Sequence, residues 1–471
     1  MAELGRIVTV VGGGLAGSEA AWQIARLGVP ARLHEMRPLT QTPAHRTGLL
    51  GELVCSNSFK SDELSNAHGL LKAEMRRFGS LVLRVADATR IPAGAALAVD
   101  RDAFASRVTA AIESEPLIET RRGEVRDIPT EGPVILATGP LVSPALTEAI
   151  GRFTGREHLY FYDAISPVVE AGSIDRSVAY AASRYGKGDG ADYLNCPMTR
   201  EQYDAFIEAI LAATGADLHE FERGHFFEGC LPIEELALRG RDTPRFGPMK
   251  PVGLPDPRTG RSPHAVVQLR QDTLAADHYS MVGFQNQLRH DEQARIFRMI
   301  PGLEKARFAR LGMIHRNSYI CAPSVLLPTW QARARSDLFF AGQVSGVEGY
   351  LESAASGMLA GVNAARLTRG DIPLVPPPDT ALGALCRYVA GAESAGYQPT
   401  NISFGLLPPL ASPARGRKPR RAELARRALS SLDGWLDEAR PVPGADSSSG
   451  SRSAGAGPGP GAPVPPGGHR S

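Results

Sequence analysis

Ile7-Val8-Thr9-Val10-Val11-Gly12-Gly13-Gly14-Leu15-Ala16-Gly17-Ser18-Glu19-Ala20-Ala21 stands near the N-terminus, and His34-Glu35-Met36 follows shortly after. A β-branched run passes straight into Gly-x-Gly-x-x-Gly and then into an Ala-rich stretch of helical character. This order predicts the first βαβ unit of a dinucleotide-binding fold. Gly12 supplies the sharp turn at the strand end. Gly14 lacks the Cβ that would hold the backbone away from a pyrophosphate. Gly17 lets the helix pack close on the strand. The helix start, at Gly13, Leu15 and Ala16, offers free N–H groups and a positive dipole end to phosphates. Glu35 stands eighteen residues past Gly17, at the end of the second strand, where an acid binds a ribose hydroxyl.

Two later stretches extend this reading. Pro133-Val134-Ile135-Leu136-Ala137-Thr138-Gly139-Pro140 reads as a buried strand ending in Ala-Thr-Gly. Asp337-Leu338-Phe339-Phe340-Ala341-Gly342-Gln343 reads as another, ending in Gly and followed by a small-residue helix from Leu351 to Leu367. The three strand ends form a set that recurs in two-dinucleotide-binding flavoproteins, which hold FAD extended across the sheet. The set departs from that pattern at Gln343, where an Asp usually makes a ribityl contact. The fold class is therefore α/β, with a Rossmann-like FAD-binding domain assembled from distant segments, 1–150 and 306–370. An inserted α/β substrate domain is expected over 151–305 and a short helical region over 371–440. From Pro441 onward Ser, Gly, Pro and Ala dominate, so 441–471 is expected to be a disordered tail.

A chain of 471 residues exceeds one ordinary core. No uncharged stretch reaches membrane-span length. The first strand begins too early to leave room for a signal peptide. The five cysteines lie far apart with no Cys-x-x-Cys pair, which disfavours zinc and disulfide frameworks and indicates a reducing, cytoplasmic setting. The net charge of +2 neither requires nor excludes nucleic acid. Within the first domain, Asn66 to Leu83 reads as an amphipathic helix with Leu70, Leu71, Met75 and Phe78 on one side. Asp100-Arg101 reads as the turn into another.

Cys230 is the sharpest candidate for chemistry. It sits in Phe226-Phe227-Glu228-Gly229-Cys230-Leu231-Pro232-Ile233-Glu234-Glu235, a helix-start pattern with Pro232 at the first helical position. A helix N-terminus favours thiolate, while Glu228, Glu234 and Glu235 oppose it. From this context the thiol is either activated or an inert buried one. Cys55, in Leu53-Val54-Cys55-Ser56-Asn57-Ser58, lies in a polar loop that either faces the cofactor or carries the thiol incidentally. Cys196, Cys321 and Cys386 have no local activating feature and read as structural. His315-Arg316-Asn317-Ser318-Tyr319 either lines the pocket or forms a solvated turn. The basic run Arg415, Arg417, Lys418, Arg420, Arg421, Arg426 and Arg427 either contacts phosphates or is a solvated face.

Seven stretches resemble one family. They are 12–22, 53–61, Phe-Glu-Gly-Cys-Leu-Pro-Ile-Glu-Glu (227–235), Gly-Pro-Met-Lys-Pro-Val-Gly-Leu (247–254), Met-Val-Gly-Phe-Gln (281–285), His-Arg-Asn (315–317) and Gly-Val-Glu-Gly-Tyr-Leu-Glu-Ser-Ala-Ala-Ser-Gly (346–357). The family is the folate- and FAD-dependent tRNA (uracil-5-)-methyltransferases, and the resemblance covers about 5–410. It implies transfer of a one-carbon unit from 5,10-methylenetetrahydrofolate, with reduced FAD recharged by NADPH or NADH. The product it implies is 5-methyluridine at position 54 of the tRNA T-loop. Its two functional cysteines fall at Cys230 and Cys55. Cys230 is assigned as the nucleophile at uracil C6 and Cys55 as the second thiol, roles that are exchangeable. The implied cofactor contacts are Gly12 to Gly17, Glu35, Gly139, Gly342, Gln343 and Tyr350. Two other readings are a tRNA wobble-uridine carboxymethylaminomethyl-modifying flavoprotein, which has a larger C-terminal domain, and a small-molecule flavin oxidoreductase, which lacks the paired cysteine motifs.

Overall fold

The computed structural model describes residues 7–155, 159–213 and 231–439. Cys230 and 441–471 lie outside them. Strand β1 (Val8–Val11), helix α1 (Leu15–Arg26) and strand β2 (Ala31–Glu35) follow in the expected order. β1 pairs with β2 in parallel, with Val8 opposite Ala31 and Val11 opposite His34. All four residues of β1 are buried, as a β-branched run in a sheet covered on both faces should be.

Val134–Leu136 lies on the other side of β1, and Arg335–Phe340 lies beyond it, both parallel. From one edge the six-stranded order is Gln331–Ala332, Arg335–Phe340, Val134–Leu136, β1, β2 and Ile118–Arg122. The three Gly-bearing strand ends are thus neighbours, although more than three hundred residues separate the first from the last. The late helix, Tyr350–Thr368, crosses α1 at close range. A Cβ on Gly357 would lie 2.1 Å from the Ala16 carbonyl oxygen, and one on Gly361 would lie 2.5 Å from that of Ala20. Small residues on both faces permit this approach.

The helix expected over Asn66 to Leu83 is in fact two helices. Helix α2 (Ala67–Phe78) ends at Gly79, which takes the left-handed conformation at φ 81°. Ser80 then caps a second helix, Leu81–Ala88, by accepting from the Leu83 N–H. A glycine C-cap followed by a serine N-cap divides one apolar periodicity into two elements. Glu19 of α1 fixes the junction, since its carboxylate accepts from Ser80 Oγ and from the N–H groups of Leu81 and Val82. The expected turn at Asp100 is present, with its carboxylate capping Arg101–Glu113 through the Ala103 N–H.

The second layer is an antiparallel sheet in the order Tyr180–Ala181, Tyr193–Met198, Ala265–Gln271, His278–Met281, Val168–Glu170, Phe308–Arg310. Its own core holds Phe206, Phe284, Phe297 and Ile300. Leu159–Ala164 and Ile314–Tyr319 pair antiparallel where the chain leaves and rejoins the first layer. Helix Pro144–Thr154 packs Leu146, Ala149 and Ile150 into the first core. Helices Ala381–Gly391 and Arg417–Ala439 join that core through Leu382, Leu385, Ala425 and Leu432. Among the described residues no helix is long and apolar enough to cross a membrane.

Candidate active site

One large cavity opens at the C-terminal ends of the parallel strands. Gly12 to Ala16, Glu35, Gly139, Gly342, Gln343 and Tyr350 all line it, together with Cys55. The second sheet closes the far side through Arg270, Ser280 to Gly283 and Gln285. A ligand site at the carboxyl ends of a parallel sheet is the expected place in this fold. Gly12 turns the chain at φ +105°, with the Ala137 carbonyl oxygen 2.4 Å from where a Cβ would stand. Gly14 is different, because a Cβ there would meet nothing within 4 Å and would project into open space. Gly17 is set against the turn itself, with the Gly12 carbonyl oxygen 1.7 Å from a Cβ position.

Among the described residues, four buried polar atoms of the cavity lining have no hydrogen-bond partner: Thr138 Oγ1, Ser143 Oγ, Asn317 Oδ1 and Glu352 Oε2. Orphaned buried groups of this kind are rare in folded proteins. Their presence in one cavity lining, with the open space at Gly14 and the helix start of α1, fits a large polar ligand with phosphates. A dinucleotide cofactor has this character.

Glu35 is already engaged. Its Oε2 accepts from the Gly13 N–H at 2.8 Å, and its Oε1 accepts from the Arg37 N–H and Nε at 2.9 Å. Burial alone would raise this carboxyl, but the Arg37 guanidinium and N–H, with the Gly13 N–H, hold it below the usual carboxylate range. Oε2, with one donor, keeps capacity for a hydroxyl. Gln343 donates through Nε2 to Glu348, a second cavity residue. The carboxylate missing at position 343 is thus present five residues later, a pairing that the sequence reading did not anticipate. Asn401 joins the same wall and donates to the Glu348 carbonyl.

The Cys55 loop is held from several sides. Tyr350 Oη accepts from the N–H groups of Cys55 and Ser56 at 2.9 and 3.1 Å and lies 3.0 Å from Cys55 Sγ. Burial pushes the Tyr350 hydroxyl well above its ordinary range, so it stays protonated. With two N–H donors on its oxygen, its own proton is the one available to the sulfur. Three arginines converge on the same loop. Arg101 Nη1 donates to the Leu53 carbonyl, Arg310 Nη1 to the Val54 carbonyl, and Arg270 to Ser56 Oγ and Asn57 Oδ1, all at 2.8–2.9 Å. Asp272 balances one of these charges through Arg101 Nε. The loop is therefore a positioned cavity element set against an electropositive wall, not an incidental turn.

The other cysteines separate cleanly. Cys196 and Cys386 are fully buried, and burial pushes both thiols up to about 12. Asn317 and Tyr319 lie on a strand and are buried, so these two do not belong to a solvated turn. Pro232 sits one position earlier than expected, at the N-cap of helix Ile233–Arg239 rather than inside it. Glu234, in that first turn, is buried and its carboxyl is pushed up to about 8 by burial. It is thus largely neutral at pH 7, where the sequence suggested a charged carboxylate.

Glu234 gives a testable pH dependence. Its folded-state pKa exceeds the ordinary 4.5, so the native state binds the extra proton between those values. Its contribution to stability is complete below about pH 4.5 and is lost as pH rises through 8, at up to about 1.4 kcal/mol per pH unit. Glu234→Gln should match the wild type at pH 4 and melt at higher temperature at pH 9. Equal melting shifts at both pH values would refute this.

Comparison with known proteins places the chain in a family. The family model described as glucose inhibited division protein A matches residues 7–371. The chain is 56% identical over 429 residues to the methylenetetrahydrofolate–tRNA-(uracil-5-)-methyltransferase TrmFO of Geobacter sulfurreducens, covering 91% of this chain and 98% of that one. It is 57% identical over 422 residues to the TrmFO of Moorella thermoacetica, covering 90% and 96%. The chain belongs to the TrmFO family. Among solved structures, Aquifex aeolicus GidA in its form I crystal aligns with a TM-score of 0.67 and 19% identity, covering 92% of this chain and 76% of that chain. That likeness is one of fold. The family resemblance read from the cysteine and glycine motifs is borne out.

Proposed function

We propose that the protein methylates C5 of a uridine in tRNA, giving 5-methyluridine at position 54 of the T-loop. The one-carbon unit comes from 5,10-methylenetetrahydrofolate and the electrons from NADPH or NADH by way of bound FAD. The observation that carries this reading is the cavity itself. It joins a glycine-rich dinucleotide turn to a positioned cysteine, in a chain of the TrmFO family. FAD would be held by Gly12 to Gly17, Glu35, Gly139, Gly342, Gln343 and Tyr350, and it supplies hydride chemistry when bound.

Uracil C5 is a poor nucleophile. A thiolate adding at C6 pushes the ring π-electrons towards O4, and the resulting enolate attacks an electrophilic carbon through C5. The C5 proton and the carrier amine then leave, giving an exocyclic methylene, and hydride addition to that carbon completes the methyl group as the thiolate departs from C6. We assign the C6 addition to Cys230 and the second thiol to Cys55. Tyr350 positions Cys55, and Arg101, Arg270 and Arg310 hold its loop. Activity of this kind belongs in the cytoplasm, where tRNA and reduced nicotinamides are found. The direct test is incubation of purified protein with undermodified tRNA, methylenetetrahydrofolate and NADPH, followed by nucleoside mass spectrometry. No 5-methyluridine from a flavin-loaded preparation would refute the reading.

The basic run supports contact with RNA. Arg417, Lys418 and Arg420 are exposed on helix Arg417–Ala439. Arg421 is committed elsewhere, since it donates to the Ser65 carbonyl and lies over the Phe404 ring. Changing Arg417, Lys418 and Arg420 to Gln should weaken tRNA binding and flatten its salt dependence, by about one unit of log–log slope per lost phosphate contact. FAD binding should not change. An unchanged slope would mark these residues as a solvated face.

A further inference from the structure

The stretch Gly247-Pro248-Met249-Lys250-Pro251-Val252-Gly253-Leu254 does not line the cavity, yet it is built with care. Met249 and Leu254 are fully buried anchors at either side of its exposed middle. Arg184 ties that middle down by donating to the Lys250 and Val252 carbonyls, and Tyr180 Oη donates to the Leu254 carbonyl. Tyr185, next to Arg184, is 64% exposed and sits at φ 58°, a conformation that costs a bulky residue energy. Its N–H donates to the Gly253 carbonyl. Its ring lies over Gly253, where a Cβ would stand 2.6 to 3.0 Å from three ring carbons. One ring face is thus seated on the backbone while most of the side chain remains open to solvent. Phe246, just before the stretch, is 80% exposed, and Val252 is 50% exposed.

Charge accompanies these rings. Residues 238–264 hold six Arg or Lys against two Asp. Arg241, Arg245 and Arg258 pair with Glu208, Asp242 and Asp256, whereas Lys250 and Arg261 form no ion pair among the described residues. A protein-docking patch has an apolar centre depleted of charge. Exposed aromatic rings interleaved with unpaired cations instead match unstacked bases and their phosphates, because every base has a π-face and every linkage a charge. We infer that Tyr185 and Phe246, with Lys250 four residues after Phe246, form a stacking platform for unpaired bases of the RNA substrate. The strained, hydrogen-bonded seating of Tyr185 fixes the ring before RNA arrives, so less freedom is lost on binding.

This inference rests on the proposed tRNA substrate, and the test separates the two. Binding of T-arm RNA is measured over a salt series for the flavin-loaded wild type, Tyr185→Ala, Tyr185→Phe, Phe246→Ala and Lys250→Gln. All three positions lie outside the cavity, so the flavin spectrum and melting temperature serve as folding controls. Each ring-to-Ala change should weaken binding about tenfold with an unchanged salt slope, as expected for a lost stacked base. Tyr185→Phe should bind like the wild type. Lys250→Gln should reduce the slope by about one. Wild-type protein that binds no RNA would refute the tRNA reading itself. RNA binding that survives both ring-to-Ala changes within twofold would overturn only the platform. The same conclusion would follow if those changes instead dissociated a dimer of this chain while leaving RNA binding intact.

Discussion

Gly14→Val should give a folded protein with greatly weakened flavin binding, and Gly17→Val should give no folded protein. The two glycines are three residues apart, and ordinary conservatism would treat them alike. Their surroundings are opposite. Gly14 holds φ −74° and ψ −164°, an extended conformation open to any residue, and a Cβ there meets nothing within 4 Å. Valine therefore costs the fold little. It does stand where phosphate oxygens must approach the N–H groups at the start of α1. Losing one or two charge-assisted hydrogen bonds costs about 2–4 kcal/mol, or roughly 30- to 1,000-fold in cofactor affinity. At Gly17 a Cβ would lie 1.7 Å from the Gly12 carbonyl oxygen and 2.9 Å from its carbon. Neither atom is the end of a flexible side chain, so α1 must lift from β1 and break the core they share. Flavin absorbance and thermal melting read the two outcomes separately. A yellow Gly14→Val protein with wild-type affinity would remove the phosphate cradle from that turn.

Cys230→Ala should abolish methyl transfer while FAD stays bound and NADPH still reduces it. A methyl side chain cannot add to C6, and without that addition C5 does not attack. General-base or nucleophile losses of this kind reduce turnover by many orders of magnitude. The described residues that line the cofactor cavity come from other segments, so cofactor chemistry should be untouched. Wild-type enzyme with 5-fluorouridine-containing tRNA should form a covalent adduct, since fluorine blocks the deprotonation that precedes thiol release. Peptide mapping should place it on Cys230. An adduct on Cys55 would exchange the two assignments, and an adduct on neither would exclude nucleophilic addition by these thiols.

What was legible in the sequence is what acts locally. The turn of Gly12 to Gly17 is a backbone constraint written in consecutive residues, so it announced β1, α1 and β2 directly. The strand ends at Gly139 and Gly342 repeated that grammar closely enough to be joined into one sheet. The chain's folding back of Glu19 onto Ser80, Leu81 and Val82 was not legible, because Glu19 reads like any helix acid. The same holds for Tyr350. Its place in a small-residue helix start suggested the cofactor, but nothing local shows a hydroxyl reaching a cysteine 295 residues away. Arg101, Arg270 and Arg310 lie on three elements of two layers, and only the packing of those layers brings them to residues 53–57. Gln343 misled in a different way, since the sequence showed an absent carboxylate and the fold returned one at Glu348.

The central claim is the origin of the transferred carbon. Flavin-loaded protein is incubated with undermodified tRNA, methylenetetrahydrofolate bearing deuterium at both methylene positions, NADPH and unlabelled S-adenosylmethionine, and the 5-methyluridine is weighed. Both deuteriums should be retained and one hydrogen added by reduction, so the nucleoside should be two mass units heavier than the unlabelled compound. A 5-methyluridine of unlabelled mass would show that the methyl group comes from another donor and would contradict the account.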